Sequence, residues 1–221
     1  MSYYTRWRLV IGTSYFQRFL QTAYAQGVSD LKTLNPKASF LKPDFICLLC
    51  GVGNEETARS FIQFVINRNP KSKIYIIDLG TEQIKAVKSL VSRYFAKYDI
   101  TIRQTNALDL LSMLKKSSVD WIETDGFLEF FSRKDLMMLL NIWHTLLRLE
   151  GFVTIREPAS DSFLGSLTDS LRIKMAKWWL GITIYKYTLK DLDKIFREIG
   201  FKYVSSSTIV PTYRRFTLIK K

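Results

Sequence analysis

The chain holds 221 residues, and its 33 Lys and Arg against 20 Asp and Glu leave a formal net charge of +13. Apolar residues make up 47% and charged residues 24%, near the globular average, which excludes wholesale disorder and a fibrous or collagen-like chain. The longest apolar-rich stretch, Leu136 to Leu149, is broken by Asn141, His144 and Arg148 and falls short of the roughly 20 residues that cross a bilayer, so no transmembrane helix is expected.

At the N-terminus Tyr3, Tyr4, Arg6, Trp7 and Arg8 precede only a short apolar run, Leu9 to Ile11, without a small-residue cleavage site. No signal peptide is read, and a cytoplasmic location is expected. Tyr15, Phe16, Phe19, Leu20 and Ala23 form one apolar stripe, so residues 1–42 are predicted as a helical cap and 43–221 as the main domain. From Phe45 onward short β-rich runs alternate with helix-period segments. That alternation specifies a parallel sheet covered by helices on both faces.

The first predicted strand is Phe45 to Leu49, followed by a helix over Glu55 to Asn67 with Ala58, Phe61, Ile62, Val65 and Ile66 on its buried face. The second strand, Ile74 to Ile77, leads to a helix capped by Thr81 and carrying Ile84, Val87, Val91, Tyr94 and Phe95. Ile100 to Arg103 is the third strand, and a short helical turn with Leu108, Leu111 and Leu114 leads to the fourth, Val119 to Ile122. The long helix of Leu136, Leu139, Leu140, Trp143 and Leu147 is stopped by Gly151, before a fifth strand over Phe152 to Ile155.

An insertion from Ser160 to Tyr187 carries Leu164, Leu167, Leu171, Met175 and Trp178 at helical spacing and reads as a lid. Thr188 and Asp191 resemble a capping box opening a helix through Leu192, Ile195, Phe196 and Ile199 to Gly200. Lys202 to Ile209 and Tyr213 to Ile219 are the last strands, joined around Pro211 by too few residues for a parallel crossover. The prediction is an α/β, Rossmann-like doubly wound, mostly parallel seven-stranded sheet ending in an antiparallel hairpin.

Cys47 and Cys50 spell C-x-x-C, but a structural zinc site needs about four ligands and the chain adds only His144, so no metal is expected. Both cysteines fall on or beside a predicted strand, where positions three apart face opposite ways, and both read as buried. The basic residues are spread through every segment with no long run of like charge.

Polar residues recur at successive strand ends, which topology brings to one sheet edge. Cys50-Gly51-Val52-Gly53-Asn54 follows the first strand, and its glycines allow close backbone approach to a nucleotide-like group or simply make the bend. Asp78 ends the second strand, where a carboxylate can accept from both hydroxyls of a ribose. Asn106-Ala107-Leu108-Asp109 and Glu123-Thr124-Asp125-Gly126 follow the third and fourth, and Asn106 with Leu79 and Ala107 suits an adenine.

Across about Phe45 to Lys221 the chain resembles the class I S-adenosylmethionine-dependent methyltransferases. Cys50 to Asn54 looks like that family's glycine-rich first motif, Asp78 its ribose-binding acid and Asn106 to Asp109 its adenine-binding stretch. Gly126 to Phe131 and Leu149 to Val153 are similar to its fourth-strand loop and fifth-strand entry. The resemblance implies S-adenosylmethionine as cofactor, held by Cys50, Gly51, Gly53, Asp78, Leu79, Asn106, Ala107 and Asp125. The pattern departs at Leu49, where the first glycine would stand, and at Cys47, where the family carries an acid. Glu55, Asp125 or an N-terminal aromatic then has to hold the methionine end.

Methyl transfer is an in-line displacement that needs alignment and exclusion of water, and an acceptor that must lose a proton needs a base. Asp125 and Glu157 are the carboxylates best placed by topology, and His144 reads as a packing residue. The insertion sets Arg172, Lys174 and Lys177 beside Trp178 and Trp179, which suits an anionic acceptor, a lipid headgroup surface or a stacked RNA. Thr124-Asp125-Gly126-Phe127 replaces the N-P-P-Y type of sequence, which counts against a base-amine acceptor. The leading expectation is O- or N-methylation of a small-molecule or lipid-like acceptor. Peripheral membrane contact stays open and nucleic acid is not favoured. The alternatives are an inactive methyltransferase-like binding protein and a nicotinamide-dependent oxidoreductase.

Overall fold

The computed structural model of the protein describes residues 13–159, 163–210 and 212–220, with backbone alone at 163–166, 179 and 180. Tyr3 to Ile11, Ser160, Pro211 and the side chains of Leu164 and Trp179 lie outside the described residues. The strands are β1 (Ile46–Cys50), β2 (Lys73–Asp78), β3 (Ile100–Gln104), β4 (Val119–Asp125), β5 (Leu147–Pro158), β6 (Phe201–Ser207) and β7 (Tyr213–Lys220). They form one seven-stranded sheet in the order β3-β2-β1-β4-β5-β7-β6. The first five run parallel, and β7 lies antiparallel between β5 and β6. The predicted mixed sheet and its terminal hairpin are both present.

The helices are α1 (Ser14–Leu34), α2 (Glu55–Ile66), α3 (Thr81–Tyr94), α4 (Arg133–Leu146), α5 (Phe163–Met175) and α6 (Leu189–Ile199). On one face of the sheet α1 and α2 enclose Phe19, Tyr24, Phe61 and Phe64 around Trp121, which stacks on Phe152 at 5.5 Å between ring centroids. On the other, Leu136, Leu140 and Trp143 of α4 and Leu192 and Phe196 of α6 cover Leu48, Cys50, Ile122, Val153 and Phe216. Cys47 belongs to the first core and Cys50 to the second, and both are free and buried. α1 lies close on the sheet because it presents Gly27 there: an added Cβ would stand 2.6 Å from Cγ2 of Thr154. Arg215 of β7 binds Asp30 of α1 at 3.0 Å and also reaches Gln26.

Local signals account for most boundaries. Asn54 caps α2 by accepting the N–H groups of Glu56 and Thr57, and the acids in that first turn oppose the helix dipole. Thr188 and Asp191 form the predicted reciprocal box at α6, which Gly200 closes in the left-handed region at φ 99°. Thr81 is not a cap: α3 starts on it, Gly80 precedes it, and its hydroxyl accepts from Gln104 Nε2 at 2.9 Å. Of the apolar positions predicted for α3, Phe95 is buried just past its end, whereas Tyr94 is exposed under the guanidinium of Arg59.

The largest departures concern β4 and β5. α4 ends at Leu146, five residues before Gly151, because its last carbonyls accept from Ser117 and Ser118 while Leu147 pairs with Val119. Gly151 instead sits inside β5 beside a register shift, where a Cβ would come 2.9 Å from the Val119 carbonyl oxygen. β5 also runs on through Pro158 and β4 through Asp125, so Glu123, Arg156 and Glu157 are strand residues, not loop residues.

Candidate functional site

Cys50 ends β1 and Gly51 turns the chain at φ 78°, a left-handed conformation that glycine adopts without steric cost. The ring of Phe127 lies so close that a Cβ on Gly51 would stand 2.5 Å from its Cδ2. Asp78, ending β2, accepts the Val52 N–H at 2.7 Å and the Gly80 N–H at 2.6 Å. Burial pushes its carboxyl up, and those backbone N–H groups offset part of the rise. Asn106 caps the short 3-10 helix over 107–112 with Oδ1, which accepts from Leu108 at 3.0 Å and leaves the amide nitrogen to donate elsewhere.

These turns, α1 and the β4 loop enclose a cavity of about 750 Å³, within the range of small-molecule sites. Of the residues expected to hold a cofactor, Gly51, Gly53, Asp78, Leu79, Asn106, Ala107 and Asp125 line it. Cys50 does not, since its side chain is fully buried in the core beside Trp143. Four carboxylates lie in the lining, Asp78, Asp125, Glu129 and Asp135, and no lysine, arginine or histidine does among the described residues. Phe16, Phe19, Phe127, Phe130, Phe131 and Tyr213 give it an aromatic wall.

Asp125 is held from behind. Arg156 Nε lies 3.4 Å from Asp125 Oδ1, and the same guanidinium binds Glu123, which also accepts from the Thr154 hydroxyl. Thr154 in turn accepts from the Trp121 indole N–H at 2.6 Å. Burial raises the Asp125 carboxyl and Arg156 pulls it back, while Glu123 is pushed up by burial to about 7. Arg156 is raised by those carboxylates although burial opposes it, so it stays charged.

Glu157, the other expected base, is not in the cavity. It is buried under the β4 loop, where Oε1 accepts the N–H groups of Phe127 at 2.5 Å and Leu128 at 2.6 Å. Burial raises its carboxyl, Glu129 raises it further, and the two N–H groups oppose both. His144 packs edge-on against Phe201 at 5.1 Å and is not among the lining residues.

Sequence reading missed the contributions of Glu129, Asp135, Gln83, Tyr213 and Ile182 to the lining. Asp135 carried a local signal, three residues after Ser132, whose hydroxyl it accepts at 2.6 Å as α4 begins, and Glu129 lies in the stretch matched to the fourth-strand loop. Glu129 binds Arg172 of α5, and Tyr213 lies beside Gly126, its phenol pushed up by burial and by Glu129 and Asp125.

No family model and no curated protein sequence matches the chain. Solved structures do: magnesium protoporphyrin IX methyltransferase from Synechocystis, with bound S-adenosylhomocysteine, aligns with TM-score 0.65 and 13% identity over 98% of this chain and 94% of that one. An O-methyltransferase family protein from Burkholderia thailandensis gives 0.64 and 12% over 90% of this chain, which spans 59% of that protein's length. Mitomycin 7-O-methyltransferase gives 0.61 and 11% over 100% of this chain and 61% of that one. At such identities the likeness is one of fold.

Proposed function

From the class I S-adenosylmethionine-dependent methyltransferase fold we propose that the protein methylates an oxygen or nitrogen of a small-molecule or lipid-like acceptor. The lining carries the reading: a chain of net charge +13 has built a cavity with four carboxylates and no cationic side chain among the described residues. A sulfonium and an ammonium group suit that field. The phosphates of a nicotinamide dinucleotide would meet like charge instead, which counts against the oxidoreductase alternative.

The residues present fit the cofactor. Asp78 retains lone pairs beyond its two backbone bonds for a ribose diol, and the Asn106 amide nitrogen can donate to a ring nitrogen of adenine between Leu79 and Ala107. Gly51 and Gly53 keep the turn bare of side chains. Asp125 and Glu129, both in the lining, would supply the negative charge missing at Cys47. When bound, S-adenosylmethionine supplies a methyl carbon on a sulfonium, open to in-line displacement. Asp125 Oδ1 is turned to Arg156, which leaves Oδ2 to receive the acceptor's proton. Phe127 and Phe131 present ring surface to the cavity, which would exclude water around the reacting groups.

The test is a melt with S-adenosylmethionine, S-adenosylhomocysteine or a nicotinamide dinucleotide, followed by transfer of a labelled methyl group to candidate acceptors. Ligand at about 100 times its Kd stabilises by about 2.7 kcal/mol. A rise with the first two alone is expected. No rise with either overturns the cofactor assignment, and a rise without transfer to any acceptor favours the binding-protein alternative.

A further inference from the structure

We propose that the outward face of α5 docks the protein on the surface of an anionic lipid bilayer. Among its described side chains the helix sets its acid inward and its leucines outward. Its inner side carries charge: Asp169 is 2% exposed and lies 3.6 Å from Arg172, which reaches across to Glu129. Its outer side carries Leu167, Leu171 and Met175, exposed to 61%, 60% and 50%. They are four apart and therefore share one face. Trp178, 87% exposed, follows in the wider helical turn over 176–180. A surface helix ordinarily buries its apolar stripe and turns its charges to water, so this stripe is built for an apolar medium outside the chain.

Charge selects that medium. Between Phe163 and Tyr187 the sequence carries Lys174, Lys177 and Lys186, and its other two charges, Arg172 and Asp169, lie together on the inner side. Lys174 and Lys177 are exposed beside the stripe. Basic side chains flanking leucines and a tryptophan are the composition of a helix that lies in a headgroup layer. A second copy of the chain fits less well, because a two-fold contact through this face would set Lys174 and Lys177 near their own copies. RNA fits less well again, since aliphatic side chains dominate the face.

The same segment walls the cavity through Ile182 and is tied to it by Arg172 and Glu129. Tyr15 and Phe130, two of the lining aromatics, are themselves exposed. Docking would then hold a segment of the cavity wall against the layer in which an amphipathic acceptor resides. The docking itself stands whether or not the cavity transfers methyl groups.

Flotation with vesicles of phosphatidylcholine alone, or mixed with phosphatidylglycerol, tests the proposal. The protein should float with the mixed vesicles, stay behind with the neutral ones and be released by salt. Lys174→Glu with Lys177→Glu should weaken binding by at least about 25-fold, taking about fivefold per lysine lost. Leu171→Ser with Trp178→Ser should abolish flotation with net charge and melting temperature unchanged. Absence of flotation at low salt overturns the proposal, as does flotation that survives the Ser variant. Dimerisation or retention on single-stranded RNA lost in that variant, without flotation, assigns the face to a second copy or to RNA and overturns it too.

Discussion

The carboxylate of Asp78, at the end of β2, accepts the backbone N–H of Val52 at 2.7 Å and so fastens the turn after β1. One side chain both shapes the glycine turn and faces the cavity, so its loss should cost stability and ligand together. Asp78→Ala leaves the Val52 and Gly80 N–H groups without their acceptor, a penalty of about 1–3 kcal/mol in a urea titration, and removes the stabilisation by S-adenosylhomocysteine. Asp78→Asn keeps one acceptor oxygen and should lose less of each. Full ligand stabilisation in Asp78→Ala would show that this carboxylate does not hold the cofactor.

Gly51→Ala places a methyl group where φ is 78° and where the Phe127 ring is 2.5 Å away. The backbone strain alone costs about 1–2 kcal/mol, and the displaced ring narrows the cavity. Combining it with Phe127→Leu should restore part of the stability and none of the φ strain. Equal melting temperatures for Gly51→Ala and the parent would refute the close approach.

If Asp125 receives the acceptor's proton, turnover should rise with pH through a carboxyl pKa shifted above the ordinary aspartate value, because burial outweighs the pull of Arg156. Asp125→Asn should erase that limb and lower kcat by about 10²–10⁴-fold. Glu157→Gln, whose oxygen can still accept from Phe127 and Leu128, should keep the limb. A limb that persists in Asp125→Asn assigns the proton to another group.

Glu123 and Glu157 both hold their protons more tightly when folded, since burial raises them above 4.5, Glu123 to about 7. The native state therefore binds protons that the unfolded chain releases. Stability from these groups is complete below about pH 4.5 and is lost as pH rises through the folded pKa values, at about 1.4 kcal/mol per pH unit for each proton. Asp44, Glu150, Asp191 and Asp193 are lowered by their partners and act only on the acid side, where falling pH removes their contribution. Chemical denaturation from pH 5 to 8 should show declining stability, with a shallower slope and a higher value at pH 8 in Glu157→Gln. A flat profile would contradict both shifts.

Much of the cavity edge is legible in sequence because it is local. Gly51, Asp78 and Asn106 each stand where a strand gives way to a turn, and each strand end can be read from a few neighbours. Tyr213 and Ile182 reach the same cavity from segments whose local pattern says nothing of where they fold. Glu157 illustrates the converse. Topology brings it near the edge, but β5 runs on to Pro158, and the carboxylate turns under the loop to satisfy two N–H groups.

By itself the sequence determined the order of strands and helices, the capping box at Thr188, the left-handed closure at Gly200 and the opposite facing of Cys47 and Cys50. Those depend on backbone geometry and on periodicity within a few residues. Tertiary structure alone decided that β7 enters between β5 and β6, that Arg156 meets Glu123 and Asp125, and that the stripe of α5 faces outward. Periodicity fixes that a helix has an apolar face, but the hydrophobic effect has no direction of its own. What that face meets, and which buried charge answers which, is settled only when distant segments pack and must pair what they bury.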